Sequence, residues 1–157
     1  MASRLPAFPR VVFTIFEPLS LISGSLPAIL APDWFIQEQI AGTSGTVASD
    51  RSRLVAQQLG NTYGLLFLLG VAVLYTSTEL RVVRNYLVAL LIADASHVGF
   101  TIWGLGLARF IAVDEWNAMT WGNIGVTTLL ALTRVAYLLG LFGPDKPGTG
   151  AISKKAD

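Results

Sequence analysis

The sequence predicts an all-α polytopic membrane protein, a four-helix transmembrane bundle with N- and C-termini in the cytoplasm. Three observations predict it. Hydrophobic residues make up 53% of the chain and charged residues 13%, about half the charged share of a soluble domain. Mean hydropathy is +0.59 over 157 residues, more apolar surface than one core of this size absorbs, and lipid is the natural solvent for the excess. Four stretches, about 11–31, 54–76, 83–107 and 118–142, reach the ~20 mostly apolar residues of a spanning helix.

Residues 1–10 read as a cytoplasmic N-terminus. The first span has Arg4 and Arg10 in front and Ala31 at its end, the outline of a cleavable signal peptide. Against cleavage, Glu17 sits inside the apolar run, Pro18 and Pro27 interrupt it, and Pro32 would follow the cut. A retained helix, kinked at a proline, is expected. The connection 32–53 is the one long loop, assigned to the non-cytoplasmic side. It opens on an amphipathic piece, Asp33-Trp34-Phe35-Ile36-Gln37-Glu38, expected at the membrane interface, and then turns Gly/Ser/Thr-rich and flexible. The connections around Thr78 and Asp114 are short, so neighbouring helices pack antiparallel. Residues 143–157 are Pro/Gly/Lys-rich and predict a disordered cytoplasmic tail. Orientation follows the positive charges. Arg4, Arg10, Arg81, Arg84, Lys146, Lys154 and Lys155 fall on one side, and Arg51, Arg53 and Arg109 on the other.

The composition excludes several classes. Net charge is +1, with no basic aromatic patch, so nucleic acid is not an expected partner. Without cysteine there is no disulfide, thiolate metal site or Cys nucleophile, and one histidine cannot build a histidine-rich metal centre. Neither a dinucleotide fingerprint nor a phosphate loop is present. No metal and no cofactor are expected. The expected partners are a lipophilic small molecule and membrane lipid, with a homo-oligomer left open.

Ionisable residues in a span cost several kcal/mol and normally face the bundle interior with a partner. Glu17 lies roughly 9 Å, and Arg134 roughly 12 Å, inside the cytoplasmic ends of their helices, so an ion pair is open to them. Asp94 sits near the middle of the third span. His97, three residues on, shares its face with Tyr86, Leu90, Thr101 and Gly104. Gln57, Gln58, Asn61 and Tyr63 from the second span, and Trp121 and Asn123 from the fourth, lie at similar depth in the non-cytoplasmic half. They suggest a polar pocket with a charged floor. Asp94, His97, Glu17 and Arg134 are the candidate catalytic residues. Asn61, Tyr63, Asn123, Trp103, Trp121 and Tyr86 are candidate substrate- or water-binding residues.

Plainer roles stand beside these. Glu17 and Arg134 suit a pair that only fixes helix register, and Asn61 and Asn123 suit interhelical hydrogen bonding. Gly60-x-x-x-Gly64 suits close helix packing, Trp34, Trp116 and Tyr75 suit interface anchoring, and Glu79, Arg81 and Arg84 suit a solvated turn, with Glu79 an alternative cap beneath the site.

Two chemistries fit such a set. Opening an epoxide needs an acid at the ring oxygen and a base for water. A carboxylate–Arg–carboxylate array with Asn and Tyr supplies both, because environment can drive two carboxyls into different protonation states. The same parts suit an isomerase that protonates an alkene, with Trp103 and Trp121 facing a carbocation.

Glu17-Pro18, Asn61-x-Tyr63, Leu91-Ile92-Ala93-Asp94-x-x-His97, Trp116-Asn117-x-x-x-Trp121-Gly122-Asn123 and Arg134 together resemble a fungal family of small four-span integral membrane proteins, over about residues 8–142. Members of that family resemble the epoxide hydrolases of polyene-pyrone mycotoxin biosynthesis, of the aurovertin and citreoviridin type, which open polyene epoxides and set up cyclic ethers. The resemblance implies that activity and an endoplasmic reticulum location. It carries Asp94, His97, Glu17, Asn61, Asn123 and Arg134 over as site residues. A weaker likeness is to the sterol isomerase (emopamil-binding) group, whose spacing matches less well. Three functions therefore stand as expectations: an epoxide hydrolase or epoxide-opening cyclase on a lipophilic polyketide or terpenoid, a carbocation isomerase or cyclase, and a non-catalytic lipid-binding or assembly protein.

Overall fold

The computed structural model describes residues 4–42, 45 and 47–147. Helices dominate, and there is no strand among the described residues. Helix α1 runs Ala7–Leu30, α2 Pro32–Gln37, α3 Asp50–Thr76, α4 Leu80–Leu105 and α5 Leu107–Ile111. A 3₁₀ turn, Val113–Glu115, follows. Helix α6 is continuous through Ala118–Thr120, Trp121–Val126 and Thr127–Leu138.

The irregularity expected at a proline of α1 takes the form of a π-helical turn over Val12–Phe16, in which the Glu17 N–H bonds the Val12 carbonyl. Pro18 follows and has no N–H to give. The Thr14 carbonyl, four residues before it, accepts instead from the Tyr75 hydroxyl at 2.7 Å. Tyr75, expected as an interface anchor, is half exposed and also caps this gap.

Helix α3 starts four residues before the expected boundary. Ser49 caps it, its hydroxyl accepting from the Ser52 N–H at 3.1 Å, and Asp50 suits the positive end of the helix. Arg53 then ties the two ends of the long connection, to Asp33 and to Asp50, each at 2.8 Å. The amphipathic piece of that connection is α2, with Trp34 half exposed and Phe35 buried. Helix α4 ends on Gly106 at φ +77°, a conformation that favours glycine. The connection to α6 is longer than expected, because α5 and the 3₁₀ turn fill it.

Helix α1 packs along α3, and α4 along α6. The first pair closes on small residues. Gly60 is buried, and a Cβ there would come within 2.8 Å of Ile29 Cγ1 and 2.9 Å of Ala28 Cβ. The Ser25 hydroxyl donates to the Gly60 carbonyl at 2.7 Å. The close-packing role expected for Gly60 is therefore met. One core cluster joins Leu5, Val12, Phe13, Leu74, Val83, Leu87, Leu130 and Tyr137. A second joins Ala28, Phe35 and Ala56, with Tyr63 and Met119 against it.

The polarity is inverted relative to a soluble protein. Leu19, Leu30, Leu68, Ile92 and Leu132 are more than half exposed, whereas Arg134 is 0% exposed. Ala7–Leu30, Asp50–Thr76 and Leu80–Leu105 are long and apolar enough to cross a membrane. At 1.5 Å per residue they span about 36–40 Å against a hydrocarbon layer of about 30 Å. This is compatible with an integral membrane protein. Helix α6, with Asn123 and Arg134 in its length, does not join those three.

Residues 143–147, expected as the start of a disordered tail, fold back onto the bundle. Asp145 accepts from Arg84 at 2.7 Å and from the Tyr137 hydroxyl at 2.9 Å. Lys146 and Arg4 exchange hydrogen bonds: Arg4 Nε donates to the Lys146 carbonyl at 3.0 Å, and the Lys146 N–H to the Arg4 carbonyl at 2.8 Å. The rest of the expected tail, 148–157, lies outside the described residues, as do 43, 44 and 46 of the long loop.

Candidate functional site

The strongest polar feature of the interior is a three-helix charge cluster. Arg134 of α6 donates through Nη2 to Glu17 of α1 and through Nη1 to Asp94 of α4. The guanidinium lies over the Phe13 ring, 5.3 Å from its centroid, a position the ring quadrupole favours. The π-helical turn of α1 ends just before Glu17, whose side chain is buried; such turns are frequent at functional sites. A second one, Trp121–Val126, interrupts α6. Asp94 belongs to the inward face of α4, on which Val83, Leu87, Leu90 and Leu105 are buried.

Two carboxyls facing one guanidinium leave one negative charge over, unless one carboxyl carries a proton. Glu17 Oε2 and Arg134 Nε are buried without a hydrogen-bond partner. Burial also falls off across the cluster. The side chains of Arg134 and Glu17 are 0% and 8% exposed and that of Asp94 12%, and His97, one turn on, is partly exposed. Asp94 and His97 are thus the less buried side of the cluster.

Asn123 of α6 neighbours His97 and donates to Gln39 at 3.2 Å. Tyr86 packs against the first core cluster, and its hydroxyl bears on Gly70, where an added Cβ would lie 3.1 Å from it.

Other expected site residues fall elsewhere. Asn61 is exposed, because α3 turns its neighbour Gly60 inward. Tyr63 packs beside Gly24 in the second core cluster, away from the charges. Trp103 is 80% exposed and stacks on exposed Phe100. Trp121 is 49% exposed and meets Trp116 edge-on at 5.0 Å. Neither indole faces the cluster. Gly104, expected on the inward face, is exposed, and Leu105 takes that place. Glu79 is exposed at the N-cap of α4, its side chain making no cap hydrogen bond.

Three contributors were not singled out beforehand. Phe13 lies under Arg134, and its spacing of four before Glu17 was the available signal. Glu38 accepts from Asn117 Nδ2 through its carbonyl at 2.9 Å and its carboxylate at 2.8 Å. Gln39 holds Asn123. No sequence signal joined these two to positions some 80 residues away.

No curated protein and no solved structure matches the chain. A family model does match, over residues 2–144. The chain belongs to the family described as a domain of unknown function, DUF7704.

Proposed function

We propose that this protein is a four-span membrane enzyme that opens an epoxide on a lipophilic substrate. The observation that carries the reading is Arg134, wholly buried and bridging Glu17 and Asp94 from two other helices. One carboxyl gives its proton to the ring oxygen as the carbon–oxygen bond breaks. The other carboxylate takes a proton from water as that water attacks carbon. Arg134 holds both in register and balances one negative charge. Substrate reaches the cluster at Asp94 and His97, the side that keeps exposure. A lipid-embedded opening selects an apolar substrate. The motif resemblance supports a polyene polyketide, with a hydroxyl of the substrate itself taking the part of water when a cyclic ether forms.

The proposed topology puts both termini on the cytoplasmic face of the endoplasmic reticulum membrane. Arg4, Arg84, Asp145 and Lys146 gather at one end of the bundle, which supports a common side for both ends of the chain. The positive residues assign that side to the cytoplasm.

The test is to incubate membranes holding the protein with a polyene diepoxide in ¹⁸O-labelled water. Labelled diol, or a cyclic ether above the level of the Arg134→Met control, is the expected result. Neither product above that control refutes the reading.

A second reading is a register lock that holds three helices together and does no chemistry. The complete burial of Arg134 favours it. The carbocation isomerase loses support, because Trp103 and Trp121 face away from the cluster.

A further inference from the structure

Helix α3 packs on α1 through Gly60. Another side of it carries a row of exposed residues, Leu54, Gln58, Asn61, Leu65, Leu68 and Ala72. Their spacings are four, three, four, three and four, the heptad rhythm of a helix seam. At 100° per residue they fall within a stripe about 80° wide. Leu54, Leu65 and Leu68 are each more than half exposed.

Two members of the row do not suit lipid. Helix α3 has 27 residues, Asp50–Thr76, and its centre is Tyr63. Asn61 then lies about 3 Å, and Gln58 about 7.5 Å, from the middle of the span. Hydrocarbon extends about 15 Å to either side of the bilayer midplane, so both carboxamides lie within it. Polar groups beside them are satisfied inside the chain. The Thr62 hydroxyl donates to the Gln58 carbonyl at 3.0 Å, and Gln57 Nε2 reaches the Ile29 carbonyl at 3.5 Å. The side-chain amides of Gln58 and Asn61 have no hydrogen-bond partner among the described residues. Lipid tails offer neither donor nor acceptor, so an amide that faces them stays unpaired at a cost.

We propose that this row is the contact between two copies of the chain, paired about a two-fold axis along the membrane normal. Two copies in one membrane share one orientation, so that axis sets α3 parallel to α3 of the second copy. Each residue then faces its own counterpart at equal depth. Leucine meets leucine, and Asn61 meets Asn61. A carboxamide is its own complement, because it holds both donor and acceptor. A second copy therefore supplies what lipid lacks, at the matching depth. Amides that hydrogen-bond across helices hold membrane bundles together, and a polar side chain on an apolar seam fixes register and the number of partners. The pairing needs only that α3 spans the membrane, and not the epoxide chemistry.

The chain has no cysteine, so single cysteines report the contact. Full-length Leu54→Cys and Val55→Cys proteins in phosphatidylcholine vesicles are treated with a thiol oxidant. Leu54 lies on the row. Val55 is 64% exposed and points about 100° away from Leu54 at nearly the same depth. Leu54→Cys is expected to cross-link into a dimer, and Val55→Cys is not. Energy transfer between donor- and acceptor-labelled copies, tagged at Pro147→Cys, is then followed as lipid is added. Asn61→Leu in that background is expected to weaken pairing about tenfold. Ile92→Leu, on the exposed side of α4, is expected to change it less than twofold. Equal cross-linking at Leu54→Cys and Val55→Cys overturns the proposal, as does an Asn61→Leu protein that pairs as tightly as its parent. Purified protein that stays monomeric at every lipid ratio also overturns it, the row then belonging to a different chain or to lipid. So does a trimer or larger assembly.

Discussion

At the scale of single residues, burial decides what each charge is worth. Arg134 has given up all contact with solvent and recovers it from two carboxyls and an aromatic face. Removing one member of such a set leaves the others buried and unpaired, which costs about 3–5 kcal/mol. Arg134→Met is therefore expected to lose about that much in a reversible unfolding titration in detergent micelles. A loss under about 1 kcal/mol contradicts the packing described. Tyr75→Phe removes one hydrogen bond to Thr14 and is expected to cost about 0.5–1.5 kcal/mol in the same titration. The pairing of Glu17 with Arg134 was legible from their matching depths, and the Asp94–His97 face from its spacing of three. Trp103 was legible too, as an outward residue. It lies nine positions after Asp94, and at about 100° per residue nine positions end on the opposite side of a helix. Asn61 was not legible, because composition alone does not say which way α3 turns.

At the scale of elements, the two tight pairs α1–α3 and α4–α6 rest on different surfaces. The first is a backbone approach set by Gly60, Ser25 and Ala28. Gly60→Ala puts a methyl where 2.8 Å is available, and overpacking of this kind costs about 1–3 kcal/mol. Gly99→Ala meets nothing within 4 Å. It is expected to be neutral, or to stabilise by up to about 1 kcal/mol through helix propensity. Thermal unfolding of the two variants side by side checks this pair, and equal effects contradict the assigned interface. Three of the four expected apolar spans are long apolar helices, and these were plain from composition, but their ends were not. Charged Arg51 and Arg53 masked the start of α3, although Ser49 and Asp50 carry a capping signature. The connection after Gly106 hid its short helical pieces because they have too few residues to show a period. The irregular turn ahead of Pro18 was signalled by the proline itself, but its π-helical form was not.

At the scale of the molecule, charges inside and leucines outside are one fact about solvent. The bundle carries its three-helix charge cluster inside, and its ends are closed by Asp145 on one side and by Asn117 and Asn123 on the other. The proposed topology is open to cysteine labelling, since the chain contains no cysteine. With a membrane-impermeant maleimide and sealed endoplasmic reticulum vesicles, Thr78→Cys and Pro147→Cys are expected to label from outside. Val47→Cys and Asp114→Cys are expected to label only after the vesicles are opened. Labelling of all four from one side contradicts the four-span arrangement.

The central claim is that the buried cluster performs chemistry and is more than a lock. Asp94→Asn tests it most directly, because asparagine keeps the shape and an acceptor for Arg134 but cannot give or take a proton at that carboxyl. The measurement is the rate of epoxide opening by this variant, on the same preparation whose unfolding midpoint is recorded. Acid–base groups contribute about 10²–10⁴-fold, so the account predicts a rate at least about a hundredfold below wild type in a protein that remains folded. A folded Asp94→Asn protein whose rate stays within about twofold of wild type would contradict it.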